Sequence, residues 1–334
     1  KATAASVTTA GALTLSKTDI TTGSLTATAT GQINSTDAIF VAGATSIESS
    51  GAQSIALTGD NDFDGNVTVV KAGALSLNDV NALALSVQAV GATEIVAGTT
   101  LTLGALTISD TASFTSGDAL TDTNARINVA GTTTLSAQNG AAITLDTTDH
   151  AFAGTVTVLE AGSLALHNTQ ALDLTATVSG AADIEADGAL TLGTSTIGGA
   201  LILESIGAAL GDVSVGAGLN LTSTGAVSST GILSVEETTQ ITATGQSVTL
   251  DNASNDFVGA VTISAADTVT LRDSDALSLG GTIATQLAVT SDGALTFGDT
   301  VVGAGGNALI ASAGGNVEQA VGTDIRVNGA AVLD

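Results

Sequence analysis

The sequence predicts an all-β protein whose short strands stack in parallel coils. Three observations lead to this prediction. The motif Phe-x-Gly-x-Val-Thr-Val/Ile occurs three times, at residues 63–69, 152–158 and 257–263. Apolar–polar–apolar triplets recur along the whole chain, and their period of two indicates strands. Proline, which interrupts central strands, is absent from all 334 residues.

The repeated motif defines three copies with offsets of 89 and 105 residues, because Phe63, Phe152 and Phe257 occupy the same position in it. Apolar positions keep these offsets for about forty residues beyond the motif. Self-similarity of this kind is typical of units that cannot bury their apolar faces alone and must stack on their neighbours.

The triplets predict strands separated by frequent corners. Gly-Ala, Asn-Asp, Gly or Asp flanks many of them, as turns require. In the best-preserved stretch the triplet centres are about eight residues apart, at Thr68, Ser76 and Ala84. The clearest triplets are Leu13–Leu15, Val67–Val69, Leu75–Leu77, Leu83–Leu85, Leu101–Leu103, Leu164–Leu166, Leu190–Leu192, Val248–Leu250 and Leu277–Leu279.

A coil fits these strands better than a meander of hairpins. Only Asn139-Gly140 and Asn328-Gly329 match the preferred dipeptide of tight hairpins. In a coil, each strand pairs with its counterparts above and below at about 4.8 Å. If one turn takes roughly twenty residues, we expect about seventeen turns and a rod on the order of 80 Å long.

The composition indicates a narrow aliphatic core. Aromatic residues make up 2% of the chain, and Trp and Tyr are absent. We expect Phe63, Phe152 and Phe257 each to fill a wider core layer of its own turn. Cysteine is absent, so disulfides do not hold the fold and cysteine metal sites are excluded.

The charge argues against two classes of partner. The net charge is −26, and the six basic residues are scattered along the sequence. Nucleic acids and anionic membranes both need a positive surface, so we expect neither as a partner. We also expect no membrane insertion, because polar residues interrupt every candidate apolar run of eighteen residues. No signal peptide is visible.

The organisation predicts one continuous domain over residues 1–334. No linker or change of composition divides the chain, and both ends keep the same Gly-Ala-Val/Leu texture. An uncapped stack would expose strand edges, so we expect this region to be a section of a longer protein.

The residue pattern of segment 250–262, LDNASNDFVGAVT, resembles the repeats of large bacterial adhesins. These are the filamentous-haemagglutinin-like exoproteins of the two-partner secretion type. The segments 275–280 and 291–295 share this pattern. The resemblance covers the central repeats of that family, without its secretion domain or a binding tip. It implies a right-handed parallel β-helix (β-solenoid) that serves as a shaft, exported through an outer-membrane partner.

One segment resembles the start of a calcium loop. Asp60, Asp62 and Asp64 alternate before Gly65, as oxygen ligands do before the sharp turn of such loops. The twelfth position, where a bidentate Glu belongs, is Lys71, and the other two copies lack the carboxylate series. The three aspartates are therefore a weak calcium candidate, and otherwise no cofactor is predicted. A plain acidic corner before a strand is the favoured interpretation.

The two histidines, His150 and His167, do not form a metal or catalytic set by sequence. His150 lies in the corner before Phe152. His167 aligns with Asn78 and Arg272, and this substitution pattern predicts a solvated corner. An enzyme needs converging carboxylates or a base paired with Arg or Lys. The arginines are far apart in sequence, with no acidic cluster beside any of them.

The sequence therefore predicts a right-handed parallel β-helix without catalytic activity. Its function would be mechanical, as the shaft of a secreted or cell-surface bacterial adhesin or as a contributor to biofilm matrix. Its partners would be copies of itself, or host, cell-surface or matrix carbohydrates or proteins. The alternative is a self-assembling extracellular filament or sheath subunit. A carbohydrate-active enzyme on the same scaffold is less favoured.

Overall fold

The protein is an all-β parallel β-solenoid of about 16 turns. The computed structural model describes residues 4–303 and 307–334, which contain 39 strands and no helix. No helix in these ranges therefore has the length and apolarity to cross a membrane. The predicted parallel β-solenoid is confirmed, whereas the right-handed sense of the coil stays a prediction.

The chain packs into two compact units, residues 1–170 and 171–334. The prediction of a single domain over residues 1–334 stays a prediction. The first unit contains β1 (Ala5–Thr9), β2 (Leu13–Thr14), β3 (Thr18–Ile20), β4 (Leu25–Ala29), β5 (Ile33–Ser35), β6 (Ile39–Val41), β7 (Thr45–Ser49), β8 (Ile55–Phe63), β9 (Val67–Asp79), β10 (Leu83–Ala97), β11 (Leu101–Ile108), β12 (Ala112–Ser116), β13 (Leu120–Asp122), β14 (Ile127–Val129), β15 (Thr133–Ala137), β16 (Ala142–Leu145), β17 (Ala151–Phe152), β18 (Val156–Ala161) and β19 (Ser163–Asn168).

The second unit contains two strands of more than ten residues, which lie between runs of shorter strands. It contains β20 (Leu172–Val178), β21 (Ala182–Ala186), β22 (Ala189–Leu192), β23 (Ser195–Ile197), β24 (Leu201–Ser205), β25 (Gly207–Leu210), β26 (Val213–Val215), β27 (Leu219–Ser223), β28 (Val227–Ser229), β29 (Leu233–Val235), β30 (Thr239–Thr242), β31 (Ser247–Leu250), β32 (Asp256–Phe257), β33 (Val261–Asp273), β34 (Leu277–Ser291), β35 (Leu295–Val302), β36 (Asn307–Ala313), β37 (Val317–Gln319), β38 (Ile325–Val327) and β39 (Ala330–Leu333).

Three strands form a coil in the regular parts of both units. In the second unit, β27, β28 and β29 pair in parallel with β30, β31 and β32, their counterparts one coil later. One coil takes from 17 residues, where Ala266 pairs with Ile283, to 25 residues, where Thr300 pairs with Ile325. This range confirms the predicted turn of roughly twenty residues.

The core consists of columns of aliphatic side chains that rise through successive coils. One column runs through Ala27, Ile47, Val69 and Val87, which pair in register and are all buried. The alternation is strict in strands such as β27, where buried and exposed residues follow one another. Eight of the nine predicted triplets lie within strands, and Leu13–Leu15 extends one residue beyond β2. The period of two therefore located the core correctly.

Some strands are longer than the triplet spacing predicts. β9 contains 13 residues and includes two triplets, and β10 contains 15 residues. The prediction that every strand is short is therefore wrong for these elements. The backbone stays extended through the corner, and the register shifts there, as between Leu85 and Val87 where β10 pairs with β11.

Buried serines satisfy backbone groups at many corners. Ser35, Ser116 and Ser223 each end a stretch of buried alternation and donate a hydrogen bond to the carbonyl two residues later, at 3.0, 2.7 and 3.0 Å. Each hydroxyl satisfies a carbonyl that the strand ladder leaves unpaired at the turn. Polar residues inside the solenoid therefore stabilise its corners.

Candidate functional site

The three copies of the sequence motif form three corners with the same buried polar residues. Each corner has an amide or imidazole, a Phe, a Gly and an amide or carboxylate. The first corner consists of Asn61, Phe63, Gly65 and Asp79, the second of His150, Phe152, Gly154 and Asn168, and the third of Asn255, Phe257, Gly259 and Asp273.

The first polar residue of each corner accepts a hydrogen bond from a backbone N–H of the previous coil. Asn61 Oδ1 accepts from Ile39 at 3.2 Å. Two residues of different chemistry do the same in the other copies. His150 Nδ1 accepts from Ile127 at 3.1 Å, and Asn255 Oδ1 accepts from Leu233 at 2.9 Å.

The second polar residue accepts from the backbone N–H of the Phe. The distances to the Phe nitrogen are 2.9 Å for Asp79, 2.9 Å for Asn168 and 3.1 Å for Asp273. All three side chains are buried. The corner thus contains one polar acceptor for the coil before it and another for its own Phe.

The Phe and the Gly have separate functions in the corner. Phe63, Phe152 and Phe257 are fully buried, which confirms that each fills the core of its own turn. The glycines lie against the backbone of the previous coil. A Cβ on Gly154 would lie 2.5 Å from the carbonyl oxygen of Gly131, closer than real Cβ contacts allow. Close stacking therefore requires glycine at this position.

The second corner has an additional acidic partner. His150 Nε2 lies 2.9 Å from Asp122 Oδ2, and both side chains are almost fully buried. Because Ile127 N–H donates to Nδ1, that nitrogen has a lone pair, and Nε2 carries the proton that it donates to Asp122. The imidazole is therefore neutral and bridges a backbone donor and a carboxylate.

The environment favours the ionised form of Asp122. Burial alone raises the pKa of this carboxyl, but three hydrogen bonds outweigh it. They come from His150, the Asn124 N–H and Thr147, and they hold the pKa of Asp122 below its ordinary value. This carboxylate is thus fully hydrogen-bonded by groups of the protein itself.

The third corner gathers carboxylates instead. Asp256, Asp273 and Asp275 each offer a carboxylate oxygen within 4.8 Å of the other two. Burial raises the pKa of Asp273 to about 6; hydrogen bonds from Phe257 N–H and Ser274 N–H oppose this shift, and the charges of Asp275 and Asp256 add to it.

The first corner is intermediate between the other two in its number of carboxylates. Its counterparts of the three carboxylates are Asp62, Asp79 and Asn81. The Asn81 amide donates to Asp62 Oδ1 at 2.7 Å, so an amide takes the place of the third carboxylate. Burial raises the pKa of Asp79, with the charges of Asp62 and Asp64 adding to the shift and hydrogen bonds from Asn81 N–H and Phe63 N–H opposing it.

The predicted calcium residues lie beside this corner. Asp60 and Asp62 project from the same side of β8, beside a depression of about 380 Å³ that Lys17 and Asp19 also line. Asp64 lies in the turn before β9. Among the described residues, these three aspartates do not bring three carboxylate oxygens within 4.8 Å of one another. The calcium assignment to Asp60, Asp62 and Asp64 stays a prediction.

The histidines are more buried than the sequence predicted. His167 is 3% exposed, so the predicted solvated corner is wrong there. His150 is fully buried at the position equivalent to Asn61 and Asn255. The alignment of the three copies already contained this signal, because imidazole and carboxamide can both accept from a backbone N–H.

Two arginines each form an ion pair with an aspartate. Arg272 contacts Asp292 at 3.2 Å, and Arg326 contacts Asp324 at 2.9 Å. Arg326 also lines a depression of about 530 Å³ with Asp299. Adjacent coils bring Arg272 to Asp292, whereas Asp324 precedes Arg326 by two residues in the chain. The expectation that no acidic cluster accompanies an arginine stays a prediction.

These stacked coils and corners define a repeat protein of the β-solenoid class. The profile of DUF5649, described as repeats of unknown function, matches residues 2–70, 90–159 and 198–264, which is more than half of the chain. The chain therefore belongs to this repeat family. Each match ends one residue after the Phe-x-Gly-x-Val-Thr-Val/Ile motif, so the family repeat and the three sequence copies coincide there.

The third match ends at residue 264, so Asp273 and Asp275 lie beyond it. No curated protein and no solved structure matches the chain significantly.

Proposed function

We propose that this chain is a non-catalytic structural shaft of a secreted or cell-surface bacterial protein. In this proposal the protein is an adhesin of the filamentous-haemagglutinin-like, two-partner secretion type. The stacked coils extend a binding element from the cell or contribute to extracellular matrix. The repeat family and the β-solenoid fold are compatible with a structural role.

The use of the buried polar groups is the observation that carries this proposal. In all three corners, the groups best suited to chemistry accept hydrogen bonds from backbone N–H donors of adjacent coils. Residues of different type, such as Asn61 and His150, occupy the same position and make the same contact. Such interchange is expected for a structural role and not for a catalytic one.

The stacking of coils suits a mechanical function. A stack of repeats gains length without a thicker core, and its stability grows with each added interface. Inner strands have both backbone edges paired, which protects them from proteases and from pairing with other chains. The net charge of −26 adds repulsion between neighbouring molecules.

Imaging of the purified chain tests the shaft directly. Negative-stain images and light scattering across a concentration series should show discrete elongated particles of one length. Particles that lengthen with concentration would favour the filament or sheath alternative. Compact round particles would contradict both.

The location is tested on intact cells of the organism that encodes the chain. An antibody against the chain should label the surface of unpermeabilised cells, and brief external protease treatment should remove the label. Label that requires permeabilisation would contradict the surface assignment. Deletion of the cognate outer-membrane partner should abolish the signal.

A screen on acidic polysaccharides tests the enzyme alternative. The depression beside Arg326 and Asp299 is the place to examine, because it combines a cation with carboxylates. We expect no turnover by the wild-type chain. Turnover that disappears in Asp299→Asn and survives in Asp183→Asn, an exposed carboxylate of β21, would overturn the non-catalytic assignment.

A further inference from the structure

The third corner contains three carboxylates and no cationic side chain that pairs with them among the described residues. Asp273 is fully buried, and Asp256 is partly buried on the coil before it. Among the described residues, no Lys, Arg or His side chain forms an ion pair with Asp256, Asp273 or Asp275. Three carboxylates within 4.8 Å of one another thus repel with no cation to offset them.

Two buried oxygens of this cluster have no hydrogen-bond partner among the residues that the structure describes. Phe257 N–H and Ser274 N–H both donate to Asp273 Oδ1, which leaves Oδ2 buried and unsatisfied. Asp256 Oδ1 is also buried without a partner. Buried acceptors in native proteins almost always have partners, so these two oxygens of the same cluster are available to a ligand.

The other two corners show how the same geometry is satisfied without such a ligand. In the first corner both oxygens of Asp79 accept backbone hydrogen bonds, and the Asn81 amide donates to Asp62 Oδ1. The buried acceptor left without a partner there is the amide oxygen of Asn81, which carries no charge. In the second corner the acidic residue is replaced by Asn168, whose amide donates to the Phe152 carbonyl. Only the third corner combines three carboxylates.

We propose that Asp256, Asp273 and Asp275 bind a calcium ion. Carboxylate oxygens are hard ligands, and Ca²⁺ takes them at about 2.3–2.6 Å, so two ligands on opposite sides of the ion are about 5 Å apart. The oxygens of this cluster fit that span. Asp275 is exposed, which leaves an entry path and open positions for water.

The ion would join two successive coils. Asp256 lies in β32, whereas Asp273 ends β33 and Asp275 follows it, so the three ligands come from both sides of one coil-to-coil step. A site with three protein carboxylates and several waters belongs in the weak range of calcium sites, with Kd on the order of 10⁻⁴–10⁻³ M.

Calorimetry with the metal-free full chain tests the proposal. CaCl₂ titrated into the wild type at pH 7.4 and 0.15 M NaCl should give one saturable site. Because Trp and Tyr are absent, far-UV circular dichroism should report the accompanying rise of the thermal midpoint. Asp275→Asn, which recreates the residue set of the first corner, should weaken binding by at least tenfold.

Charge-matched and reciprocal variants make the test specific. Asp183→Asn removes one exposed carboxylate of β21 and should leave the affinity unchanged, which separates the site from diffuse attraction to an acidic surface. Asn81→Asp gives the first corner the three carboxylates of the third and should add a second site.

Three outcomes would overturn the proposal. One is the absence of a saturable site. Another is equal loss in Asp275→Asn and Asp183→Asn, which would indicate diffuse binding only. The last is a thermal midpoint that ignores calcium and rises when the pH falls below 6, which would mean that a shared proton joins Asp273 to Asp256.

Discussion

The second and third corners have the same backbone arrangement but differ in how their carboxylates are hydrogen-bonded. In the second corner the neutral His150 donates to the carboxylate of Asp122 at 2.9 Å. The third corner has three carboxylates and leaves two of their buried oxygens without partners. The comparison teaches that the repeat constrains the backbone hydrogen bonds of a corner and leaves its charge free to vary.

The largest expected effect is on the second corner. His150→Ala should lower the free energy of unfolding by about 3–5 kcal/mol, because it leaves Asp122 Oδ2 and the Ile127 N–H unpaired and opens a cavity. His150→Asn, the residue found at the same position of the other corners, should cost less than half as much. Urea unfolding followed by circular dichroism measures both, and equal losses would contradict the assigned acceptor role.

Replacement of the corner glycine should destabilise the second and the third corner equally. Gly154→Ala and Gly259→Ala should each cost about 2–3 kcal/mol, because the added Cβ meets backbone atoms of the previous coil at 2.4–2.6 Å. Gly11→Ala is the control, since nothing lies within 4 Å of its Cβ position. Thermal midpoints of the three variants provide the measurement. If Gly259→Ala leaves the thermal midpoint unchanged, the coils do not stack as closely as described.

Removal of the acceptor in the third corner should have a smaller effect. Asn255→Ala leaves the Leu233 N–H unsatisfied and removes one amide donor, at a cost of about 1–3 kcal/mol. The loss should be below that of His150→Ala, because no carboxylate depends on Asn255. A matched change at the exposed Gln240 of β30 should have little effect in the same urea titration. A larger loss for Asn255→Ala than for His150→Ala would reverse the comparison.

The smallest effects are pH dependences of opposite sign. The pKa of Asp122 is lowered on folding, so its contribution to stability is present above the unfolded value of 3.8 and is lost as the pH falls through the folded pKa. The pKa of Asp79 is raised, so its contribution is present below 3.8 and is lost as the pH rises through the folded pKa.

The two variants should therefore diverge from the wild type at opposite ends of the pH range. Asp122→Asn should be less stable than the wild type at pH 7 and approach it in acid. The stability of Asp79→Asn relative to the wild type should be highest at pH 7 and should decrease as the pH falls. Urea midpoints from pH 3 to pH 8 measure both curves. Parallel curves would show that the two carboxyls have similar environments.

Much of the fold was predictable because it depends on local patterns. The period of two located strands such as β19 and β31, and the absence of proline indicated paired strands throughout. The long strands β9 and β10 were missed, because corner residues such as Gly73 also permit extended backbone when the adjacent coil continues the ladder. Local residue preference does not distinguish a corner from an extended bend.

The candidate site was only partly predictable, because its residues meet across coils. The sequence directed attention to Asp60, Asp62 and Asp64, which alternate along one stretch of chain. The carboxylates that come within 4.8 Å, Asp256, Asp273 and Asp275, are separated by most of a coil. The three-copy alignment brought Asp79 and Asp273 into the same position without revealing that both are buried acceptors.

The sequence by itself determined the period of the strands, the three copies and the aliphatic character of the core, because those properties follow from residue type and spacing. Only the tertiary structure decided which polar side chains are buried and what they contact. His150 illustrates the difference, since its neutral state depends on Ile127 and Asp122, 23 and 28 residues away. Coil length varies from 17 to 25 residues, so a neighbour one coil away has no constant sequence separation.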